Sequence, residues 1–479
     1  MHKFTKIVAT LGPASDTKEK IENLISAGVN VFRFNFKHNT VDWHAKRIER
    51  AQKTAASMSA YISFLLDLQG PEVRIRMPFE KLILTPNEKI LLSEDVLKTN
   101  EKGFSITHPS IIPFLVNDQE ISADDGAFVF KVKKNKNKCY LISKSEGILL
   151  TNKTLNIPSA KFPLPVITDR DLEGLKLAAK FKIDYLALSF VRSAEDIHVL
   201  KKEMLRQKVQ AKIVAKIETA MAIENLKEIV REVDAVMVAR GDLGVELPIE
   251  RVPHYQKQII KECLLQGKAV ITATQMLQSM VNSPFPTRAE VSDVANAVFD
   301  KTDAIMLSAE SASGRYPLKS VQMMAKIAHY NEQILEVEDI RRYFIFSLDT
   351  QVETICNAAY GLYLKSLKQK NTLLSAVIVF TETGKTAQFL SRYHLKIPVI
   401  AFCSNDGVAR TLALNYGIFP VVSKTIYKKN TEITGIHLRS ALKYLIVQKI
   451  LIPGEKILVL HGDYWNIVGG TSTIKLIRV

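Results

Sequence analysis

The chain has 479 residues, 47% of them hydrophobic, and a formal net charge of +16. At about 150 residues per domain, this length predicts two to four domains. An uninterrupted apolar run of about 18 residues is absent, which argues against a membrane partner. The positive charge attracts anions, which are either nucleic acids or small phosphorylated substrates.

The amino-terminal sequence MHKFTKIVATLGPAS runs straight into a strand pattern, without the apolar segment of a signal peptide. The four cysteines, Cys139, Cys263, Cys356 and Cys403, are far apart and form no CxxC motif. We therefore expect a cytoplasmic protein without a disulfide framework.

The first elements alternate strand and helix. KIVATLG predicts a strand, and Asp16 and Glu19 have the spacing of a capping box for a helix that Gly28 ends. VFRFNF follows as a strand, VDWHAKRIERAQKTAA as a helix and YISFLLDL as a strand.

The pattern changes between residues 71 and 165, where strands are short and turn residues are frequent. NEKILLS, GAFVFKVKK and KCYLISKSEG indicate antiparallel β structure, so we predict a small β-barrel inserted as a lid domain. Asp67 and Arg74 flank its start, where a hinge would let it close over a site. The basic run Lys131–Lys138 predicts a solvated hairpin tip rather than a nucleic-acid surface, because no aromatic residues are interleaved with it.

Alternation resumes at Thr168 and Asp171, which again have capping-box spacing. Five further strands are predicted in DYLALSF, AKIVAKIE, DAVMVARGD, KAVITATQ and DAIMLSAES, and Thr287 with Glu290 begins a helix between the last two. Eight strand–helix units predict a (β/α)₈ TIM barrel made of residues 1–70 and 166–345. Residues 346–479 predict a separate α/β domain with an open mixed sheet.

Polar residues recur at the carboxyl ends of the predicted barrel strands, where enzymes with this fold place their chemistry. They are Arg33, Asn35, Asp67, Ser189, Lys216, Glu218, Arg240, Asp242, Thr274, Ser308 and Glu310.

Lys216 and Glu218 lie two residues apart on one strand, so their side chains share a face. Such a pair is either a structural ion pair or part of a functional site. Asp242 follows the next strand, and two converging carboxylates without cysteine or histidine suit Mg²⁺ or Mn²⁺.

Arg33 suits bidentate contact with a phosphate or carboxylate, with a surface loop as the alternative. Thr274 either relays a proton or caps a neighbouring helix; the capping of the following helix by Thr287 favours the relay. Together these residues indicate a phosphoryl-transfer site.

With these motifs in place, the whole chain resembles the pyruvate kinase family. The segments that carry the resemblance, in the family's order, are TKIVATLGPAS, NVFRFNFKH, LDLQGPEVR, DDGA, LPVITDRDLEGL, SFVRSAEDI, KIE, MVARGDLGVELP, ATQML, PTRAEVSDVANAVFD and DAIMLSAESASGRYP.

The resemblance implies transfer of the phosphoryl group of phosphoenolpyruvate to ADP, which gives pyruvate and ATP. It implies phosphoryl contacts from Lys216 and Arg33, a Mg²⁺ site at Glu218 and Asp242, and proton delivery by Thr274. The residues it implies for substrate are Lys216, Gly241, Asp242, Thr274 and Arg33, and those for the nucleotide are Pro13, Asn35, His38, Arg74 and Lys153.

The resemblance also implies a monovalent-cation site at Asn35, Asp67 and the carbonyl of Leu68. Lys37 stands where the family usually has a serine of that site, and its ammonium would replace K⁺. Glu72, however, matches the potassium-dependent type. We hypothesise that Lys37 substitutes for K⁺.

In the last domain, the resemblance implies a sugar-phosphate or nucleotide effector at Thr381, Thr383, Gly384, Lys385 and Thr386, with a plain helix start as the alternative. It also implies a homotetramer. Two other functions remain open: a regulatory or binding protein with this fold and little turnover, and a basic nucleic-acid-binding protein.

Overall fold

The first half of the barrel forms the predicted strands and helices. The computed structural model describes residues 3–99, 101–136, 138–157, 164–368, 373–423, 426, 432–433, 435–465 and 467–479. Its first elements are β1 (Lys6–Thr10), α1 (Lys18–Ser26), β2 (Val31–Asn35), α2 (Val41–Ser57) and β3 (Ser63–Asp67).

The start of α1 differs from the prediction. The hydroxyl of Thr17, not the carboxylate of Asp16, accepts the N–H of Lys20 and caps the helix. The Asp16 carboxylate pairs instead with Arg47 of α2 at 2.6 Å. The predicted capping box of Asp16 and Glu19 is therefore wrong, because a tertiary ion pair holds its first member.

The inserted segment is β-rich, as predicted. Its elements are β4 (Ile75–Arg76), β5 (Lys81–Leu84), β6 (Lys89–Leu92), α3 (Val96–Thr99), β7 (Gly103–Ile106), a 3-10 turn (Pro109–Phe114), β8 (Glu120–Ala123), β9 (Phe128–Asn135), β10 (Lys138–Ser143), β11 (Gly147–Leu150) and β12 (Leu155–Asn156). Strand β10 pairs antiparallel with both β6 and β9, which confirms the antiparallel prediction for those three segments.

The lid strands are arranged as a sheet and a ribbon around one apolar core. Over the described residues, seven strands follow the order β12-β8-β9-β10-β6-β7-β4, and β11 pairs with β5 in a two-stranded ribbon, where the sequence predicted one small barrel. The basic run lies on the β9–β10 hairpin, and both Lys131 and Lys133 pair with Asp118. Asn137, within that run, lies outside the described residues.

The second half of the barrel completes the eight parallel strands. Its elements are α4 (Asp169–Phe181), β13 (Tyr185–Leu188), α5 (Ala194–Arg206), β14 (Lys212–Ile217), α6 (Ala220–Glu224), α7 (Leu226–Glu232), β15 (Ala235–Ala239), α8 (Arg240–Glu246), α9 (Val252–Gln266), β16 (Ala269–Ala273), α10 (Arg288–Phe299), β17 (Ala304–Leu307), α11 (Ala309–Ala312) and α12 (Pro317–Ile334). The barrel closes in the order β1-β17-β16-β15-β14-β13-β3-β2, which confirms the predicted (β/α)₈ fold. The capping boxes of Thr168 with Asp171 and of Thr287 with Glu290 both form.

The barrel strands are buried on both faces. Alternate side chains fill the barrel interior, among them Val8, Leu65, Met237 and Met306. The intervening side chains pack outward under the helices in a second, larger core. Because neither face tolerates an unpaired charge, polar groups of these strands concentrate at the strand ends.

The last domain is an open mixed sheet with helices, as predicted. Its elements are α13 (Gln351–Leu367), β18 (Leu374–Thr381), α14 (Lys385–Ser391), β19 (Val399–Cys403), α15 (Asp406–Leu412), β20 (Ile418–Val422), α16 (Gly435–Val447), β21 (Lys456–Gly462) and β22 (Thr471–Arg478). The strand order is β20-β19-β18-β21-β22, and β22 pairs antiparallel with β21.

Buried and partly buried polar contacts join this domain to the amino-terminal face of the barrel. Arg410 Nε lies 3.0 Å from Asp184 Oδ1, and the hydroxyl of Tyr185 donates to the carbonyl of Thr411. Asp303 accepts hydrogen bonds from Ser391 Oγ and from the N–H of Tyr416.

All four cysteines are unpaired and buried, which confirms the prediction that they form no disulfide framework. Within the described ranges, no helix has the length and apolar character needed to cross a bilayer. The domain boundaries 1–70 with 166–345, 71–165 and 346–479 stay predictions.

Candidate active site

A cavity of about 490 Å³ lies between the carboxyl ends of the barrel strands and the lid. Barrel residues form one wall, and lid residues form the other. The lining includes Gly241, Asp242, Thr274 and Ser308 from the barrel and Glu72, Val73, Thr154 and Asn156 from the other wall. Of the residues predicted for chemistry, this lining includes Asp242 and Thr274 but not Arg33, Lys216 or Glu218.

Lys216, near the end of β14, lies at the centre of a polar cluster at this mouth. Its Nζ lies 2.7 Å from Glu218 Oε1 and 3.4 Å from Asp67 Oδ1, and it donates to Ser189 Oγ at 2.8 Å. Burial opposes its charge, but the surrounding carboxylates outweigh that effect and raise the pKa of Lys216 above its ordinary value. The side chain is therefore a fixed cation.

Arg33, in the middle of β2, shares the carboxylate of Asp67 with Lys216. Its Nε and Nη2 lie 2.7 Å and 2.6 Å from Asp67 Oδ2, and its Nη1 donates to Thr10 Oγ1. Burial acts to raise the pKa of Asp67, but the two cations outweigh it and the net shift is downward. One buried carboxylate thus holds two cations side by side.

Glu218 and Asp242 are the predicted metal ligands. Burial raises the pKa of Glu218 to about 7, with a further rise from Asp242 that Lys216 opposes. Glu218 Oε2 accepts the N–H of Phe190 at 2.7 Å, while no hydrogen bond or ion pair with another described residue engages the Asp242 carboxylate.

This pair fits a hard divalent cation. Glu218 is buried and only partly neutralised, and Asp242 has no partner among the described residues, so a cation between the two carboxylates would lower their electrostatic energy. Both carboxylates supply oxygen ligands. Among the described residues there is no cluster of three or more His, Cys, Asp or Glu side chains placed as a metal site. Other ligands would therefore come from substrate or water, as is usual for Mg²⁺.

Thr274 follows β16 in a left-handed backbone conformation, with φ of 66°. Its Oγ1 accepts the N–H of Gly241 at 2.8 Å, in the first turn of α8. The hydroxyl therefore caps a neighbouring helix, which was the alternative role considered for it, and its side chain also lines the cavity.

Lys37 and Glu72 contact each other. In the sequence, Lys37 indicated that an ammonium replaces K⁺, whereas Glu72 indicated potassium dependence. Lys37 Nζ lies 2.5 Å from Glu72 Oε1, and Arg74 Nε lies 2.7 Å from Glu72 Oε2. The groups predicted for a monovalent cation have partners of their own. Asn35 Oδ1 accepts the N–H of Lys37, and the Leu68 carbonyl accepts the hydroxyl of Ser189.

The predicted nucleotide residues are spread around the barrel–lid boundary. Arg74 and Lys153 lie on adjacent lid segments, joined by the hydrogen bond from the N–H of Ile75 to the Lys153 carbonyl. Burial lowers the pKa of His38, with Lys37 and Arg74 adding to the shift, so the ring is neutral near pH 7. Pro13 is exposed in the loop after β1.

The predicted effector loop connects β18 to α14. Thr381 Oγ1 accepts the N–H of Gly384, which has φ of 86°, and Thr386 Oγ1 bonds to Thr471 Oγ1. The space enclosed on this side of the loop is about 30 Å³.

Two groups at the mouth were noticed in the sequence only as polar residues at strand ends. Ser189 connects the Lys216 ammonium to the Leu68 carbonyl. Arg240 pairs with both carboxylate oxygens of Asp293 and donates to the Thr274 carbonyl, which holds the left-handed turn in place. Their partners are distant in sequence, so no local signal assigned these roles.

Arg170 and Asp171, at the start of α4, were missed as supports of the site. Arg170 donates to the carbonyls of Phe36 and His38, which positions the loop after β2. Asp171 accepts the N–H of Gln69, where the chain leaves the barrel for the lid. The capping box at Thr168 was the available signal, because it placed a buried acid next to this crossing.

Comparison with known proteins gives one consistent match. The family model of the pyruvate kinase barrel domain matches residues 2–321, and that of the pyruvate kinase alpha/beta domain matches residues 365–477. The pyruvate kinase of Geobacillus stearothermophilus is 38% identical over 485 residues, covering 99% of this chain and 80% of the relative. The pyruvate kinase of Staphylococcus aureus strain MRSA252 is 36% identical over 478 residues, covering 98% of this chain and 80% of the relative. With the closed barrel, the lidded site and these matches in agreement, the chain belongs to the pyruvate kinase family.

Proposed function

We propose that this phosphotransferase moves the phosphoryl group of phosphoenolpyruvate to ADP at the barrel mouth beneath the lid. One observation carries the proposal: the Lys216 ammonium lies within ion-pair distance of both Asp67 and Glu218, and Arg33 shares Asp67 with it. Two fixed cations, beside acidic residues that are candidate metal ligands, would stabilise the negative charge of the transferring phosphoryl group.

In this proposal, Lys216 and Arg33 bind the transferring phosphoryl group. The bond between phosphorus and the enol oxygen breaks, and a bond forms to a β-phosphate oxygen of ADP. Because Asp67 already holds both cations in place, they need little reorganisation when the equatorial oxygens gain charge. The departing enolate is then protonated at carbon to give pyruvate.

Glu218 and Asp242 would hold Mg²⁺, with Mn²⁺ as the alternative ion, and a second Mg²⁺ would accompany the nucleotide. The bound ion supplies positive charge to the phosphoryl and enolate oxygens. Gly241 and Asp242 would contact the substrate beside it. Thr274 would assist delivery of the proton, since it lines the cavity from a turn held by Arg240.

The nucleotide would lie between barrel and lid, near Pro13, Asn35, His38, Arg74 and Lys153. Arg74 and Lys153 would contact its phosphates from the lid. A neutral His38 would offer hydrogen bonding without adding charge. Closure of the lid would exclude water, which otherwise competes with ADP for the phosphoryl group.

For the monovalent-cation site, we propose that the Lys37 ammonium replaces K⁺. Its contact with Glu72 places an ammonium beside the carboxylate whose presence in the sequence indicated potassium dependence. Asn35, Asp67 and the Leu68 carbonyl would then serve as structural groups rather than as K⁺ ligands. Regulation by a sugar phosphate or nucleotide at residues 381–386 and assembly into a homotetramer are parts of the same proposal.

The activity is tested by coupling pyruvate formation to NADH oxidation with lactate dehydrogenase, in the presence of phosphoenolpyruvate, ADP and Mg²⁺. We expect steady turnover that requires all three. A folded protein that binds phosphoenolpyruvate without turnover would instead support the regulatory alternative. Binding of nucleic acid without turnover would support the third function considered from the sequence.

A further inference from the structure

The turn after β13 contacts two charged side chains of the polar cluster at the barrel mouth. Ser189 and Phe190 form this turn, directly after the buried strand. The Ser189 hydroxyl accepts a hydrogen bond from Lys216 Nζ at 2.8 Å, and the Phe190 N–H donates to Glu218 Oε2 at 2.7 Å. Two adjacent residues thus contact the fixed cation and one of the candidate metal ligands.

Phe190 has a backbone conformation that is uncommon for an aromatic residue. Its φ is 55°, in the left-handed region, where the Cβ of an L-residue crowds the following carbonyl oxygen. Glycine, asparagine and aspartate adopt this conformation much more readily than phenylalanine does. A bulky residue keeps it only where the surrounding structure holds it in place. The contacts of Phe190 therefore have to supply that restraint.

One restraint comes from the segment at which the chain leaves the barrel for the lid. A Cβ at Gly70 would lie 3.0 Å from Cδ2 of the Phe190 ring and 3.0 Å from the Cβ of Ser189. A side chain at position 70 would therefore displace the ring. Gly70 is itself held, because its N–H donates to Asp171 Oδ2 at 3.2 Å. The ring of Phe190 thus packs on a fixed stretch of backbone.

The residues on both sides of Phe190 are anchored as well. The Ser189 hydroxyl donates to the Leu68 carbonyl at 2.8 Å, and the carbonyl of Val191 accepts the hydroxyl of Thr219 at 3.2 Å. With both neighbours anchored, a change of φ at Phe190 to negative values must be offset by rotation of the planar peptide that precedes it. That peptide carries the N–H that Glu218 accepts, so the hydrogen bond depends on the left-handed conformation.

We propose that Phe190 is a positioning residue for the divalent ion: its left-handed backbone directs the amide at Glu218, and its ring maintains that conformation. The inference rests on the proposed function, in which Glu218 and Asp242 hold Mg²⁺. With Lys216 on Oε1 and the Phe190 amide on Oε2, the Glu218 carboxylate has one orientation before the ion binds. Hydrogen bonds of this kind orient metal ligands and raise metal affinity.

The same residue connects the metal site to the lid. Phe190 lines the cavity together with Asp242, while its ring packs against Gly70 at the start of the lid segment. One aromatic side chain therefore contacts both the space available to substrate and the backbone that leads into the lid.

The test is binding of Mn²⁺ to the full-length protein without substrates, followed by the electron paramagnetic resonance signal of the free ion. We expect Phe190→Ala to weaken binding about tenfold, since alanine lacks the ring, relaxes to negative φ and turns the amide away from Glu218. Phe190→Asn also lacks the ring, but asparagine adopts the left-handed conformation readily, so its affinity should stay within about twofold of the wild type. Phe299→Ala, which removes an exposed ring of α10 away from the cavity, is the matched control and should bind Mn²⁺ as the wild type does.

A further variant locates the ion. Asp242→Asn should weaken Mn²⁺ binding about tenfold or more, because it removes a ligand. All titrations are run well below the melting transition of the least stable variant, so that a loss of affinity does not come from unfolding. In turnover, Phe190→Ala should need a higher Mg²⁺ concentration for half its maximal rate.

The outcomes separate this inference from the function on which it rests. Wild-type Mn²⁺ affinity in Phe190→Ala would overturn the positioning role and leave the metal site and the turnover intact. Equal losses in Phe190→Ala and Phe190→Asn would overturn it too, because the backbone conformation would then not matter. Wild-type affinity in Asp242→Asn would refute the proposed metal site, and the inference with it.

Discussion

Replacement of Lys37 with serine tests how the charge of Glu72 is balanced beside the candidate active site. In the wild-type chain, Glu72 has Lys37 Nζ on one oxygen at 2.5 Å and Arg74 Nε on the other at 2.7 Å. The Glu72 side chain is only 6% exposed, so solvent cannot replace a lost partner. Lys37→Ser removes one cation and opens space for a monovalent ion.

The size of the effect follows from burial and distance. A unit charge pair at about 4 Å is worth about 4 kcal/mol at an effective dielectric constant of about 20. Lys37 is 30% exposed, so solvent screening removes much of that energy. We expect a net loss of about 1–2 kcal/mol, and loss of all of it from the transition state would lower turnover without potassium about 5- to 30-fold.

The assay is coupled turnover in a tetramethylammonium buffer free of sodium and ammonium, with potassium titrated in. The wild-type chain should respond less than about twofold, and Lys37→Ser should recover most of its lost rate when K⁺ is added. Lys18→Ser, which removes an exposed surface partner of Glu22, is the matched control. Strong potassium activation of the wild-type enzyme would refute the reasoning, and so would an unchanged potassium-free rate in Lys37→Ser.

Three other predictions concern the cluster and the domain interface. Lys216→Met should lower kcat by about 10²- to 10³-fold, because it removes a fixed cation from the phosphoryl position, whereas Lys212→Met on the same strand should keep wild-type turnover. Ser189→Ala should lower kcat about tenfold and cost about 1 kcal/mol in urea unfolding, since the hydroxyl orients Lys216; an unchanged kcat would contradict that role. Burial raises the pKa of both Asp184 and Asp303 from 3.8 to about 6, so the folded chain binds these protons more tightly than the unfolded chain does. Urea titrations should therefore show a free energy of unfolding that is about 1 kcal/mol larger per carboxyl at pH 5 than at pH 7. A free energy of unfolding that instead rises from pH 5 to pH 7, and does so in Asp303→Asn as well, would contradict this assignment.

Much of the fold was predictable because its signals are local. Each barrel strand is an apolar run that ends in a polar residue, and capping boxes such as Thr168 with Asp171 mark helix starts. The same local pattern gave a wrong prediction at Asp16, because its carboxylate pairs with an arginine that is distant in the sequence. The arrangement of the lid strands also differed from the prediction, since short strands do not specify how their edges pair.

By itself, the sequence determined which chemical groups are available. The eight strand–helix units and the positions of Lys216, Glu218 and Asp242 at successive strand ends follow from it, because side-chain alternation along a strand and the alternation of strands with helices are patterns of neighbouring residues. Only the tertiary structure decided how those groups are paired. Barrel closure and lid packing placed Asp67 between two cations, brought Lys37 onto Glu72 and set the N–H of Phe190 against Glu218. These contacts join residues far apart in the chain, and electrostatic energy depends on distance and burial in space, which no local pattern encodes.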